Sequence, residues 1–292
     1  MTDAHTITLA LRGRWHGRYG LAFCPAHANT RIPALRLADG EDGRLLALCS
    51  AGCDFREVAT ALRGVGLLGH GATVAPDPAA MAARRAAEAA ERARATGRAL
   101  KAWAQTIPAL ATPVERYLRA RAIDGSIPPT LRFAANAWHM TAKRAPAMVA
   151  AVMLGTEITA IHRTYLRADG LGKAELIPAK AMLGPCKGAA VRLSDGPGPL
   201  VVAEGVETAL SLLGGLCAPG ARVWAALSTS GVAGLRLPGQ PGELIVAPDG
   251  DAPGRAAAHA LAMRAHGLGW TVRIMQAPPG RDWNDLAMEG AA

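Results

Sequence analysis

Aromatic side chains are scarce, 4% of 292 residues, yet half of the residues are apolar, so a sizeable core can be buried and wholesale disorder is excluded. No uninterrupted apolar run reaches the roughly 18 residues that would suggest a membrane span. The opening stretch "MTDAHTITLALRGRW" lacks the long apolar centre and small-residue cleavage site of an export signal, so neither membrane nor secretion is expected. The five cysteines are an odd number in a long chain, a poor disulfide framework that fits a reducing cytosol and a cytoplasmic location. Cys186 and Cys217 stand alone and read as inert. No G-x4-G-K-[ST] occurs, which excludes a P-loop motor within these residues. Acids are outnumbered, 23 against 32 basic residues; the formal charge of +9 favours a polyanionic partner, nucleic acid before membrane.

The length allows one large domain or two to three small ones. Residues 1–70 read as a unit rich in Gly, Cys and His, closed by a helix that starts near Asp54 and stops near Gly64. Residues 71–103 read as a linker and an alanine-rich helix. Its Arg84, Arg85, Arg92 and Arg94 form either a solvated face or a phosphate-contacting arm. Residues 104–197 open with a short helix capped by Thr112. They continue as two strand-like runs, "PAMVAAVML" and "EITAIHRTYLRADG", joined in a hairpin near Gly155. Residues 198–292 alternate apolar strands with helices, the pattern of a parallel sheet covered on both faces. Ligands of such sheets gather at the carboxyl ends of the strands.

Glu204 follows the first of these strands, "LVVAE", and Asp249 and Asp251 follow the third, "ELIVAPDGD". If the two strands are neighbours, three carboxylates meet at one sheet edge and repel one another until a cation neutralises them, which suits Mg2+ or Mn2+. Asp282 and Asp285, in "GRDWNDL", come just after the last strand and stand as further candidate ligands. A calcium loop counted from Asp249 fails, because its fifth position is Pro253 and its twelfth Ala260. The bland alternative is an Asp-Gly turn between strand and helix.

Near the other end, "CPAH" supplies Cys24 and His27 and "CSAGC" supplies Cys49 and Cys53. Two chelating pairs on tight turns make a closed four-ligand Zn2+ site, structural in role. His5, His16 and His70 have no such pairing and read as polar surface. Arg14, Arg18, Arg31, Arg36 and Arg44 either track phosphates or are solvated, and Trp15, Tyr19 and Phe23 either stack on bases or pack in the core.

"VVAEGVETALSL" followed by "IVAPDGDAPGRAAA" resembles the Toprim domain shared by bacterial-type primases, topoisomerases and certain nucleases, with Glu204, Asp249 and Asp251 on its acidic positions. The C-P-x-H and C-x3-C pairs resemble the zinc-binding domain of bacterial, phage and plasmid primases, the longer second pair being similar to the phage and plasmid branch. Between the two, a basic stretch is similar to the basic polymerase subdomain of primases. Arg163, Lys173 (or Lys180) and Lys187 fall on its cationic positions, although the family's asparagine- and serine-containing segment is missing. His162, beside Arg163, reads as strand surface, with a substrate-facing position as the alternative.

The resemblance implies an α/β chain: an N-terminal zinc ribbon-like domain, a mixed α+β basic subdomain and a C-terminal Toprim parallel-sheet domain. It further implies a DNA primase that makes short RNA primers on single-stranded DNA from nucleoside triphosphates, for a phage, plasmid or mobile element. Zn2+ would be structural, Mg2+ or Mn2+ catalytic, and any replicative helicase a separate partner. Two rivals remain, a Toprim-type nuclease using the same acids and a non-catalytic single-stranded DNA-binding protein. A topoisomerase is excluded, since Tyr19, Tyr117 and Tyr165 lie in no nucleophile-bearing domain.

Overall fold

In the computed structural model, which describes residues 3–28, 33–40, 43–69, 78–217 and 219–290, the chain divides into two units, Met1–Glu88 and Ala89–Ala292. Arg31, His70 and the side chain of Arg84 lie outside the described residues. Among the described residues no helix is long and apolar enough to cross a membrane.

The first unit begins with helix α1 (Ala4–Ala10) and a four-stranded antiparallel sheet in sequential order. Its strands are β1 (Arg14–Trp15), β2 (Gly20–Ala22), β3 (Leu35–Asp39) and β4 (Leu45–Cys49). Period-2 alternation sends Leu35 and Leu37 into a core with Ile7, Val58 and Leu62, and leaves Arg36, Leu46 and Leu48 exposed. Helix α2 (Phe55–Gly64) starts where Asp54 and Glu57 cap it reciprocally: Asp54 Oδ1 accepts from the Glu57 amide and Glu57 Oε2 from the Asp54 amide, both at 2.8 Å. Trp15 packs against this core. Tyr19 has the Arg36 guanidinium 4.0 Å from its ring centre and is stacked with His16.

Helix α3 (Pro78–Ala104) carries the chain onward, with Arg94 and Arg98 ion-paired to Glu91 on its solvated face. The second unit then builds an antiparallel sheet of β5 (Ile107–Pro108), β6 (Leu131–Trp138), β7 (Arg144–Leu154), β8 (Glu157–Tyr165) and β9 (Lys180–Leu183), again in sequential order. Helix α4 (Pro113–Arg119), capped by Thr112, packs on it. β7 and β8 form the expected hairpin, pairing from Leu154 with Glu157 back to Ala147 with Tyr165. β9 was not legible, being a short segment between turns.

The remaining elements are β10 (Val191–Arg192), β11 (Leu200–Ala203), α5 (Val206–Ser211), β12 (Arg222–Ala225), α6 (Thr229–Ala233), β13 (Glu243–Ala247), α7 (Ala252–Gly267), β14 (Thr271–Ile274) and α8 (Trp283–Gly290). Their sheet runs in the order β10-β12-β11-β13-β14, parallel except for the antiparallel edge strand β10. Strands β11 and β13 are buried along nearly their whole length, as a sheet covered on both faces requires. One apolar cluster holds Val201, Ala203 and Val223 with Val206 and Leu210 of α5. The other holds Val202, Leu244 and Val246 with Ala258 and Leu261 of α7. From β11 the chain steps outward to β12, then returns across β11 to β13. The connections after β11 and β13 therefore diverge and leave a crevice at the carboxyl edge between those two strands.

Candidate active site and zinc cluster

The ladder of β11 against β13 ends with Ala203 beside Ala247, so Glu204 and the "PDGD" loop leave the sheet at the same level. This is the neighbour relation on which the acidic reading depended. Asp249 stands in the loop and Asp251 is the N-cap of α7, its Oδ1 accepting from the Gly254 amide at 2.7 Å. A Cβ at Gly254 would come within 2.8 Å of that same Oδ1, so glycine leaves the cap uncrowded. A Cβ at Gly250 would run into the Pro278 carbonyl oxygen, so glycine lets the C-terminal segment close against the acidic loop. The Gly250 amide donates to the Arg281 carbonyl at 2.8 Å, which brings Asp282 alongside.

The electrostatics show the crowding. Burial, then Asp282, Glu204 and Asp251, push the Asp249 carboxyl up to about 7, against a downward pull from Lys180. Glu204 is raised by burial and by Asp251, again with Lys180 opposing. Asp249 Oδ1 is buried with no hydrogen-bond partner. An orphaned carboxylate oxygen among other carboxylates fits a divalent cation, and Glu204, Asp249 and Asp251 are the residues present to hold one.

Asp282 and Asp285 behave differently. Asp282 Oδ1 caps α8, accepting from the amides of Asn284 (2.8 Å) and Asp285 (2.9 Å), while its charge still reaches Asp249. Asp285 is turned to the Asp282 amide (3.0 Å) and to Arg281 (3.8 Å), a helix-end arrangement in which its carboxylate serves the backbone and not the acidic edge.

In the first unit Cys24, His27, Cys49 and Cys53 present ligand atoms that all lie within 4.8 Å of one another. His27 turns Nδ1 toward the thiols, 3.1 Å from Cys53 Sγ and 3.8 Å from Cys49 Sγ. Burial and the neighbouring Cys49 push the Cys53 thiol up to about 11, so the cluster disfavours several thiolates without a cation. Three sulfurs and one imidazole nitrogen at this spacing fit a tetrahedral Zn2+. Among the described residues this is the one such cluster so tightly drawn.

The basic candidates separate by strand register. Thr164 pairs with Lys180 and Arg163 with Ala181 across β8 and β9, and residues directly opposite share a face. Lys180 therefore lies on the His162 and Thr164 face, whereas Arg163 points through the sheet. There the buried Arg163 guanidinium donates to the Trp138 carbonyl at 2.6 Å and sits near the Tyr165 ring. Arg163 is thus not brought to the acids. Lys173 and Lys180 both reach Glu207, and Lys187 is exposed.

The Toprim domain family matches residues 199–292. Residues 199–292 are a Toprim domain. Residues 93–193 match a domain of unknown function, DUF7146. No curated protein matches the chain. Solved structures similar to it include three from primases. A DNA primase domain from Pseudomonas aeruginosa is 17% identical at TM-score 0.33, and the match covers 53% of this chain and 52% of that one. The Aquifex aeolicus primase (zinc binding and RNA polymerase domains) is 12% identical at TM-score 0.41, covering 98% and 79%. The RNA polymerase domain of Mycobacterium tuberculosis primase DnaG, in complex with double-stranded DNA, is 19% identical at TM-score 0.39, covering 68% and 76%.

Functional candidates that the sequence reading missed stand in the Toprim domain and on the sheet beside it. Glu207, in α5 and 4% exposed, accepts from Tyr117 Oη at 2.8 Å and from Lys180 Nζ at 2.9 Å, and stands 3.7 Å from Lys173 Nζ. Against the upward push of burial, Lys180 and Lys173 hold its carboxyl down at about 2. His162 is buried, not surface: burial and then Lys180 lower it to about 4, so it is a neutral imidazole at pH 7. Asn284 is fully buried and donates to the Arg121 carbonyl (2.8 Å) and to Ser211 Oγ (3.0 Å), fastening α8 to α5 and the turn after α4. Glu207 stands three residues after Glu204 in "EGVET", a spacing that puts both near one end of a helix and could have drawn attention to it.

Proposed function

We propose that the chain is a DNA primase that joins nucleotides into short RNA primers on a single-stranded DNA template, for a phage, plasmid or mobile element. The observation that carries this reading is the under-compensated carboxylate cluster at the switch point of the Toprim sheet, with lysines beside it. Glu204, Asp249 and Asp251 would hold Mg2+ or Mn2+; such ions, when bound, activate an attacking hydroxyl and stabilise the leaving phosphate of an in-line displacement. The protein's own contribution is positional. Glu204 and Asp249 fix one side of the crevice from adjacent strands, and Asp251 is locked by its cap bond. Lys173 and Lys180 offer positive charge to triphosphate oxygens, and Lys187 is a further exposed cation for the phosphate chain or template.

The Cys24, His27, Cys49, Cys53 cluster, within residues 1–70, would act as a template-reading zinc unit, residues 71–103 as a connector, and residues 104–197 with 198–292 as the polymerising body. Any helicase would be a separate partner, and the protein would work in the cytoplasm. The test is nucleotide incorporation on random-sequence single strands with Mg2+ or Mn2+, for wild type and Asp251→Ala. Primer synthesis that disappears in the variant supports the assignment. Degradation of the strands without nucleotides would instead identify a nuclease, and DNA binding with neither activity a non-catalytic binding protein.

A further inference from the structure

A buried carboxylate needs one cation to balance it; Glu207 has two. Its Oε2 takes the Lys180 ammonium at 2.9 Å, and its Oε1 takes the Tyr117 hydroxyl at 2.8 Å with the Lys173 ammonium at 3.7 Å. The four groups come from α4, the turn before β9, the first residue of β9, and α5, segments that share no local reason to meet. The lysines are not sealed in: each keeps 36% of its side-chain area in solvent, while Glu207 keeps 5%.

Among the described residues, Glu207 is the one carboxylate in ion-pair contact with Lys173 and Lys180. The Arg121 guanidinium is close enough to act on Lys173 and Tyr117, and His162 beside them is neutral with Nδ1 unpartnered. Thr164, directly opposite Lys180, also has its buried Oγ1 unpartnered. The result is a positive patch whose Lys180 is felt by both Glu204 and Asp249 across the crevice. Adjacent positive and negative halves match a polyphosphate that brings its own divalent cation.

We infer that Glu207 is a positioning residue, whose buried carboxylate fixes the ammonium groups of Lys173 and Lys180 as a rigid pair for the phosphate chain of a nucleoside triphosphate. This rests on the nucleotidyl-transfer reading above for its substrate, but not for its geometry. A lysine is a flexible point charge on a four-carbon stem, and ordering it before the ligand arrives lowers the cost of binding.

The experiment turns on a difference of sign. Glu207→Gln removes a negative charge and makes the patch more positive. If Glu207 were only a counter-charge, a triphosphate would then bind more tightly. If it positions the lysines, binding weakens. We expect a fluorescent nucleoside triphosphate with Mg2+, titrated against the full chain, to bind Glu207→Gln about tenfold more weakly than wild type. The corresponding nucleoside without phosphates should bind both alike. In the primer assay the KM for nucleotide should rise by a similar factor, with kcat changed far less.

Near-ultraviolet circular dichroism checks that the variant is folded. If it is not, Tyr117→Phe serves instead, because it leaves every charge in place and releases only Oε1, with an expected loss of about two- to fivefold. Triphosphate binding that is unchanged or tighter in the folded variant overturns the inference. Binding is read without catalysis, so the two readings fail separately. Weakened binding in a protein that makes no primers would leave the positioning role and remove the primase. Primer synthesis with unweakened binding would do the reverse.

Discussion

Asp249→Asn should stabilise the protein in magnesium-free buffer at pH 8 while disabling its site. Asp249 is half-buried beside Glu204, Asp251 and Asp282, and its carboxyl is pushed from 3.8 up to about 7. Between those values the folded chain keeps a proton that the unfolded chain has released. Stability therefore falls as pH climbs through the window from about 4 to 7 and stays reduced above it. Carried in full, that displacement corresponds to roughly 4 kcal/mol. Solvent screening at a half-exposed carboxyl reduces it, so we take about 1–2 kcal/mol. Asparagine carries no charge and recovers this amount at pH 8, but almost none at pH 4, where the wild-type side chain is already protonated. For a unit of about 200 residues the gain corresponds to a Tm rise of about 2–6 °C. Mg2+ should narrow the gap, since it binds the folded wild type and stabilises it by mass action. The assay is thermal unfolding of both proteins at pH 4, 6 and 8, with and without Mg2+. A variant no more stable than wild type at pH 8, or equally stabilised at pH 4, would refute the reasoning that uncompensated carboxylates hold this site open for a cation.

The other expectations follow from single contacts. Cys49→Ser should lower bound zinc from about one per chain to near zero and unfold the first unit, because metal binding of this kind supplies about 10–16 kcal/mol of folding energy; retained zinc by elemental analysis would contradict the four-ligand assignment. Asp251→Ala should abolish primer synthesis and leave single-stranded DNA binding within about twofold, while loss of the α7 cap costs about 1 kcal/mol in urea unfolding. An active Asp251→Ala protein would sink the proposed ligand set. Asn284→Ala leaves the Arg121 carbonyl and Ser211 Oγ without their donor and should cost about 1–3 kcal/mol; an unmoved urea midpoint would show that α8 is held by apolar packing alone.

What could be read from sequence was what local chemistry writes into short strings. The zinc pairs, the α2 cap at Asp54, the β7–β8 hairpin and the strand–helix alternation after residue 198 each depend on residues a few positions apart, and each is present in the structure. Strand β9 pairs with residues 16 to 22 positions away and the partners of Glu207 lie 27 to 90 positions away, separations that no local pattern encodes. Arg163 shows the same limit from the other side. It is a regular cation in a basic stretch, but the one-residue register between Arg163 and Lys180 across β8 and β9 sends their side chains to opposite faces. His162 was missed for a related reason: a polar residue in an alternating strand reads as surface until a second layer covers that face.

A turn and a cation site at Asp249 and Asp251 are compatible, because the same residues can serve both. Asp251 makes the local bond expected of an Asp at a helix start, with one oxygen on the Gly254 amide. That bond occupies one oxygen of Asp251, and the carboxylate still acts on Glu204, whose carboxyl is raised partly by Asp251. Gly250, admitted where a Cβ would strike Pro278, lets the loop close so that Asp249 Oδ1 is buried without a partner. Turn chemistry thus holds the carboxylates together, as the proposed cation site requires. It follows that Gly254→Ala, which crowds Asp251 Oδ1 at 2.8 Å, should weaken Mg2+-dependent stabilisation more than it lowers stability without Mg2+. Equal losses in the two conditions would show that the cap serves the helix alone.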